Sequence, residues 1–105
     1  MKKAASTAAT SSSPTNMTFE VFGKVQGVFF RKYTKKKATK LNIKGWVENT
    51  ASGTVVGAAE APDAAALAQF SAWLRTTGSK KSRIDRAEFQ PYAEPKRFAE
   101  FSIRR

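Results

Sequence analysis

The hydrophobic pattern of this 105-residue chain changes its period at a glycine, Gly27. Before Gly27, apolar side chains occupy alternate positions, which predicts a strand over residues 17–25 with one buried face. After it, apolar side chains recur at roughly helical spacing beside a row of lysines, which predicts a helix beginning near Phe30. The strand positions are Met17, Phe19, Val21 and Val25, and the helix positions are Phe30, Tyr33, Ala38 and Leu41. The chain is thus constrained to form a strand, a glycine turn and a helix in succession.

The turn between these two elements is suited to binding a small oxyanion. Glycine permits backbone angles that other residues adopt only at a cost, so the turn can present successive unpaired N–H groups. The positive end of the helix dipole lies at the same point. Arg31 follows the turn, and its planar guanidinium can donate two parallel hydrogen bonds to phosphate oxygens. An alternative is a plain strand–turn–helix junction in which Arg31 pairs with a surface acid.

Downstream, the sequence predicts a hairpin and a second helix. Residues 43–61 form two strand-like runs around a turn signal at Gly53, after a helix stop at Asn42. Strand alternation places Val47 and Asn49 on one face of the hairpin, and Trp46 and Glu48 on the other. The second helix opens at Pro62 and Asp63 and closes at Gly78. Its core stripe is formed by Ala66, Leu67, Phe70, Trp73, Leu74 and Thr77.

Two further strands complete the predicted fold. They cover residues 83–89 and 98–103, and the proline-containing segment 90–96 between them is expected to be irregular. The order of elements is βαββαβ with a short extra C-terminal strand. This order predicts an α+β, ferredoxin-like split βαβ sandwich, with an antiparallel sheet and two helices on one face. We expect a disordered, basic tail over residues 1–16 and a single domain over residues 17–105.

Composition excludes several kinds of chemistry. The chain has neither cysteine nor histidine, which removes the usual zinc ligand sets, cysteine and serine–histidine nucleophile systems and imidazole acid–base catalysis. No apolar run is long enough for a secretory signal or a membrane span, and we expect a cytoplasmic monomer. The net charge is +11, and eight Lys or Arg residues and no acid lie between Val21 and Val47. Such a field attracts anions, although lysines on a helix usually form a solvated face.

Two blocks of the sequence resemble the motifs of the acylphosphatase family. The first is Gly23-Lys24-Val25-Gln26-Gly27-Val28-Phe29-Phe30-Arg31. The second is Gly45-Trp46-Val47-Glu48-Asn49-Thr50, followed by Gly53-Thr54-Val55 and Gly57. Two motifs in the same order are far more specific than either alone. The resemblance runs from about Phe19 to the C-terminus and includes the blocks Ser82-Arg83-Ile84-Asp85-Arg86 and Phe101-Ser102-Ile103-Arg104.

The resemblance implies a metal-independent hydrolase that cleaves the carboxyl–phosphate bond of small acyl phosphates without a cofactor. Two catalytic residues are implied: Arg31 corresponds to the family's phosphate-binding arginine, and Asn49 to the asparagine that positions the attacking water. The backbone amides expected to bind the substrate are those of Gln26, Gly27, Val28, Phe29, Phe30 and Arg31. From its local sequence alone, Asn49 is instead typical of an asparagine that satisfies backbone groups near a hairpin turn.

The sequence also leads to expectations about ligands, about Glu48 and about an alternative function. Inorganic phosphate is expected as product and competitive inhibitor, and nucleic acid as at most a weak, salt-sensitive ligand. Glu48 occupies a position where the family more often has a basic residue or glutamine, and because it faces away from Asn49 we expect only a small effect on rate. The alternative function is a non-catalytic phosphate- or RNA-binding module on the same fold.

Overall fold

The order of elements in the structure is the one that the sequence predicts. A computed structural model describes residues 14–104, and within them the chain forms five strands and two helices. In chain order they are β1 (Asn16–Lys24), α1 (Phe30–Lys40), β2 (Lys44–Asn49), β3 (Val55–Glu60), α2 (Ala64–Thr76), β4 (Arg83–Pro91) and β5 (Phe101–Arg104). The predicted ferredoxin-like α+β fold is confirmed.

All five strands belong to one sheet, in the order β4–β1–β3–β2–β5. The β1–β3, β1–β4 and β2–β3 pairs are antiparallel, as expected. The added C-terminal strand differs, because β5 pairs parallel to β2, with Gly45 opposite Phe101 and Glu48 opposite Arg104. β4 and β5 lie at opposite edges, so the connection over residues 92–100 crosses the sheet.

The core lies between the sheet and the two helices. Phe70 of α2 is fully buried and contacts Phe19 of β1 and Phe101 of β5 edge-on, with ring centroids 5.9 Å apart in both pairs. Phe30 of α1 packs on Trp73 of α2 at 5.7 Å, so the first residue of α1 is fixed by the second helix. Burying each such aromatic contributes roughly 1.5–3 kcal/mol. The glycine turn before Phe30 is therefore anchored by the core.

Three details of the helices differ from the prediction. Thr77, expected on the core stripe of α2, is the exposed C-cap residue of that helix. Tyr33 was expected on the buried stripe of α1 but is exposed, and Thr34 is buried in its place. A buried threonine is tolerated here because its hydroxyl donates a hydrogen bond to the Phe30 carbonyl at 2.7 Å. In α2, Pro62 lies before the helix rather than in its first turn. Asp63 is the N-cap, and its carboxylate accepts a hydrogen bond from Ala66 N–H at 2.8 Å.

The two last strands also have different bounds from those predicted. β4 continues through Gln90 to Pro91, where an irregular segment was expected. Proline is tolerated there because it is the last residue of an edge strand and has no ladder bond to donate. β5 begins at Phe101 rather than at residue 98.

The predicted boundary between tail and domain falls within the first strand. Of residues 1–16, the first 13 lie outside the described residues. The described part joins the sheet, because Asn16 begins β1 and the Thr15 carbonyl accepts a hydrogen bond from Ala61 N–H at 2.8 Å.

Candidate active site

The turn between β1 and α1 presents unpaired backbone donors. Gly27 and Phe29 both adopt left-handed backbone angles, with φ values of 74° and 60°. α1 has no side-chain cap and no acidic residue in its first turn. Within residues 14–104, no hydrogen bond has a backbone N–H of residues 26–32 as its donor. The turn therefore offers free N–H groups and the positive end of α1 at one place.

Gln26 fastens this turn to the β2–β3 hairpin. Its side-chain Nε2 donates hydrogen bonds to the carbonyl oxygens of Thr50 and Thr54, both at 2.8 Å. Gln26 was predicted to contribute a backbone amide, and the structure gives its side chain a separate, structural task. The link joins residues more than twenty positions apart, which the sequence pattern does not indicate.

A second link fixes the orientation of a peptide in the turn. The buried hydroxyl of Ser79 donates a hydrogen bond to the Val28 carbonyl at 2.7 Å. The C=O and N–H of a trans peptide point in opposite directions, so the N–H of Phe29 is directed away from Ser79. Ser79 follows Gly78 in the loop after α2, which packs against Phe30. The loop after α2 thus fixes the orientation of the Val28–Phe29 peptide.

The hairpin turn is itself braced by hydroxyl groups. The Thr50 and Thr54 hydroxyl oxygens lie 2.7 Å apart, and the Thr54 hydroxyl donates to the Glu20 carboxylate of β1 at 2.6 Å. This cluster fixes the carbonyl oxygens that Gln26 binds. Both threonines belong to the second sequence block, but no role was predicted for them. Their placement on either side of the hairpin turn is the sequence signal that could have indicated this role.

Most of the predicted site residues line one cavity of about 390 Å³. Its walls are Val25, Gly27, Phe29, Phe30, Arg31, Lys32, Asn49 and Ile103. Five of the predicted residues are therefore brought together: Gly27, Phe29, Phe30, Arg31 and Asn49. Gln26 and Val28 do not line the cavity. Lys32 and Ile103 do, and neither was predicted.

Arg31 is half-buried and directed toward the C-terminal strand. Its Nη1 donates a hydrogen bond to the Arg104 carbonyl at 3.1 Å. The ion pairs found within residues 14–104 are Arg83–Asp85 and Arg86–Glu88, so Arg31 has no carboxylate partner there. The structure thus gives no support to the alternative in which Arg31 pairs with a surface acid. The remaining guanidinium N–H groups are available to an anion in the cavity.

Asn49 reaches the cavity from the end of β2. Val47, two residues before it, is fully buried, and Glu48 between them belongs to the opposite face of the sheet, as predicted. The Oδ1 of Asn49 is buried, and no group of residues 14–104 donates a hydrogen bond to it. Leaving a buried amide acceptor unpaired costs roughly 1–3 kcal/mol. A hydrogen-bond donor that reaches Oδ1 would recover that energy.

Comparison with known proteins identifies this arrangement. The family model for acylphosphatase matches residues 17–103. The chain belongs to the acylphosphatase family. Chicken (Gallus gallus) acylphosphatase-1 is 56% identical over 71 residues, which cover 68% of this chain and 71% of that protein. Chicken acylphosphatase-2 is 46% identical over 96 residues, covering 90% of this chain and 92% of that protein.

Solved structures show the same relationship. The crystal structure of acylphosphatase from Bacillus subtilis superposes with a TM-score of 0.81 at 31% identity, over 86% of this chain and 98% of that one. The chain is thus an acylphosphatase, an enzyme of the hydrolase class. Among the helices of residues 14–104, none is long and apolar enough to cross a membrane.

Proposed function

We propose that this acylphosphatase hydrolyses the carboxyl–phosphate bond of small acyl phosphates, and that Arg31 and Asn49 are its catalytic residues. One observation carries the assignment. Arg31, the turn with its free N–H groups, and Asn49, whose amide oxygen has no hydrogen-bond partner within residues 14–104, line a single cavity. The first two bind an anion, and the third can hold a neutral hydrogen-bond donor such as water beside it.

The phosphoryl group is held by charge and by dipoles. Its oxygens accept hydrogen bonds from the backbone N–H groups of the turn, over residues 26–31, and from Arg31. These donors are in place before the substrate arrives, because Gln26, Ser79 and Phe30 fix the turn. Donors fixed in this way stabilise the charge that shifts among the phosphoryl oxygens in the transition state.

Water attacks phosphorus opposite the leaving carboxylate. Asn49 is not a base, and its amide oxygen accepts a hydrogen bond from the water and so orients the oxygen lone pair toward phosphorus. The new P–O bond forms as the bond between phosphorus and the carboxylate oxygen breaks. The carboxylate leaves as a stable anion without protonation, and both protons of the attacking water remain on the inorganic phosphate product. The step requires neither histidine nor a cofactor.

The structure argues against the RNA-binding alternative for the open face of the sheet. In register across that face lie Glu88 of β4, Glu20 of β1, Val56 of β3, Glu48 of β2 and Arg104 of β5. The row carries three carboxylates against one guanidinium, and this excess of negative charge disfavours the phosphates of a nucleic acid laid across the sheet. Four further points stay predictions: weak, salt-sensitive binding of nucleic acid elsewhere on the surface, inhibition by phosphate, a monomeric state and a cytoplasmic location.

The test is hydrolysis of benzoyl phosphate with a metal chelator present. The Arg31→Ala and Asn49→Ala variants are compared with Arg75→Ala, which removes an exposed arginine from the last turn of α2. We expect both site variants to lose about 100-fold or more in kcat while remaining folded, as is usual for an electrostatic or positioning group. Arg31→Ala should also weaken inhibition by phosphate, and Arg75→Ala should behave as the unaltered enzyme. An inactive wild type, or a site variant with full activity, would contradict the proposal.

A further inference from the structure

The outward side of α1 combines exposed aromatic rings with lysines. Within residues 14–104, the large apolar side chains that are exposed are Phe29, at 71%, and Tyr33, at 37%. Phe29 is the N-cap of the helix, and Tyr33 follows it by four residues. Exposed lysines at positions that share this side of a helix are Lys32, Lys36 and Lys40. We call these five residues the lysine–aromatic face.

Each aromatic ring of this face has a lysine beside it. The Lys32 Nζ lies 5.9 Å from the centre of the Phe29 ring, and the Lys36 Nζ lies 5.5 Å from the centre of the Tyr33 ring. Cation–π attraction at such exposed sites is weak, so it does not account for the exposure of the rings. The Phe29 ring in particular has no polar atom, and it would gain free energy from any apolar surroundings that a partner offered.

The charge of the lysine–aromatic face is not balanced by the protein. The sequence of α1 contains no acidic residue, and no Asp or Glu occurs between Val21 and Val47. The two ion pairs found within residues 14–104 lie on β4, so none of the lysines of α1 takes part in them. Like charges four residues apart destabilise a helix. A partner surface with many negative charges would relieve this repulsion.

We propose that the lysine–aromatic face binds the surface of an anionic lipid bilayer. Helices that lie on a bilayer place lysines at the level of the headgroups and apolar rings at the boundary with the acyl chains. The apolar side of α1 is used by the protein core, so charge supplies most of the attraction and the exposed rings add to it. Lipid suits Phe29 better than nucleic acid does, because hydrocarbon can surround the ring, whereas a base stacks on one side of it.

Docking in this way would bring the bilayer to the mouth of the catalytic cavity. Phe29 and Lys32 line that cavity, and both are exposed. A bilayer that takes up the Phe29 ring therefore lies across the entrance. Anionic vesicles should then inhibit the hydrolysis of a soluble acyl phosphate, and binding without inhibition would contradict this orientation. Vesicle binding itself requires no hydrolysis, so the proposal does not rest on the proposed function and can fail separately from it.

The experiment measures co-sedimentation of the full-length protein with vesicles. Pure phosphatidylcholine vesicles are compared with vesicles that also contain anionic phosphatidylserine. The variants are Phe29→Ala and the double variant Lys36→Gln/Lys40→Gln. The matched control is Lys80→Gln/Lys81→Gln, which removes the same charge from exposed positions in the loop after α2. Circular dichroism establishes that each variant is folded.

We expect the wild type to bind the phosphatidylserine vesicles and not the pure phosphatidylcholine vesicles. A lysine near such a surface changes the partition coefficient about fivefold, so the double variant of α1 should lose roughly 25-fold. Phe29→Ala should lose about fivefold or more, because it withdraws an apolar ring from the lipid. The loop variant should bind nearly as the wild type does, and added salt should weaken wild-type binding. A wild type that does not bind, or equal losses in the two lysine double variants, would overturn the proposal.

Two competing explanations give outcomes of their own. If inorganic phosphate at constant ionic strength abolishes vesicle binding, the catalytic turn captures the lipid headgroups and the lysine–aromatic face is not responsible. If the double variant of α1 weakens the binding of a single-stranded oligonucleotide and of vesicles equally, while Phe29→Ala leaves vesicle binding unchanged, the face attracts any polyanion and the lipid proposal is wrong.

Discussion

Arg31 donates a hydrogen bond from Nη1 to the backbone carbonyl of Arg104, 73 positions away in the chain, at 3.1 Å. Arg104 ends β5, whose parallel pairing with β2 sets its position. Its guanidinium also lies 4.1 Å from the ring of Trp46, which adds a cation–π contact to the same strand pair. The proposed phosphate-binding arginine is therefore oriented by the C-terminal strand.

Removal of residues 104 and 105 should accordingly weaken phosphate binding. The truncated chain loses the acceptor for Arg31, and a hydrogen bond from a charged group at a partly exposed site contributes on the order of 1 kcal/mol. We expect roughly a fivefold increase in KM and in the inhibition constant for phosphate, with the fold retained. Arg104→Ala is the matched control because it keeps the carbonyl, and it should leave both constants nearly unchanged. If the truncation and Arg104→Ala raise KM and the inhibition constant equally, the weaker binding results from loss of the Arg104 side chain and not of its carbonyl.

Loss of the Gln26 side chain should loosen the turn. In Gln26→Ala the two side-chain hydrogen bonds to the Thr50 and Thr54 carbonyls are lost, while these carbonyls keep Gly53 N–H and Thr50 N–H as donors, so the free energy of unfolding should fall by about 0.5–1.5 kcal/mol per lost bond. Because the turn is then less well fixed, kcat/KM should also fall. The exposed Gln90 offers a control, and Gln90→Ala should change neither quantity. Urea unfolding measures the stability, and steady-state kinetics measure kcat/KM. An unaltered kcat/KM in Gln26→Ala would show that the Gln26 hydrogen bonds do not support the active site.

The features of the site that lie close together in sequence were predictable. Periodicity located β1 and α1, glycine chemistry placed the turn at Gly27, and strand alternation put Asn49 on the site face and Glu48 on the other. Each of these inferences depends on residues within a few positions of one another.

The walls and supports of the site depend on long-range packing and could not be predicted in the same way. Ile103 and the Arg104 carbonyl reach the site because β5 adds to β2 in parallel, a pairing that no turn or local pattern encodes. At the buried face of α1, the buried residue is Thr34 and not the predicted Tyr33, and this difference has another cause. Both positions are compatible with helical spacing, and Thr34 can be buried because its hydroxyl donates a hydrogen bond to the Phe30 carbonyl.

Two glycines of the motif blocks, Gly27 and Gly45, should respond differently to alanine. At Gly27 a Cβ atom would meet no heavy atom within 4 Å, so the cost is the backbone strain at φ 74°, about 1–2 kcal/mol. At Gly45 the added atom would overlap the Ala58 carbonyl of the neighbouring strand. We expect Gly27→Ala to fold with reduced stability and reduced kcat/KM, and Gly45→Ala to lose the native sheet. Thermal unfolding and circular dichroism measure this, and equal destabilisation in the two variants would contradict the distinction.

Glu60 fastens the connection that carries the chain to β5, far from the catalytic cavity. Its buried carboxylate accepts hydrogen bonds from the Tyr92 hydroxyl at 2.6 Å, from Arg97 N–H at 2.8 Å and from Lys96 N–H. Burial raises the pKa of the Glu60 carboxyl, but these hydrogen bonds outweigh it and leave the pKa below its ordinary value of 4.5. The carboxylate therefore stabilises the fold above pH 4.5, and this contribution is lost as the pH falls through the lower, folded-state pKa.

Tyr92→Phe should expose this contribution. Removing a donor to a buried carboxylate costs about 1–3 kcal/mol in the free energy of unfolding at neutral pH. The difference from wild type should shrink as the pH falls well below 4.5, because the protonated Glu60 is a weaker acceptor in both proteins. Tyr33→Phe is the control: it removes the same atom from an exposed side chain and should change the stability little at any pH. Urea unfolding across this pH range measures the difference, and a pH-independent deficit in Tyr92→Phe would mean that the hydroxyl contributes through packing rather than through the Glu60 charge.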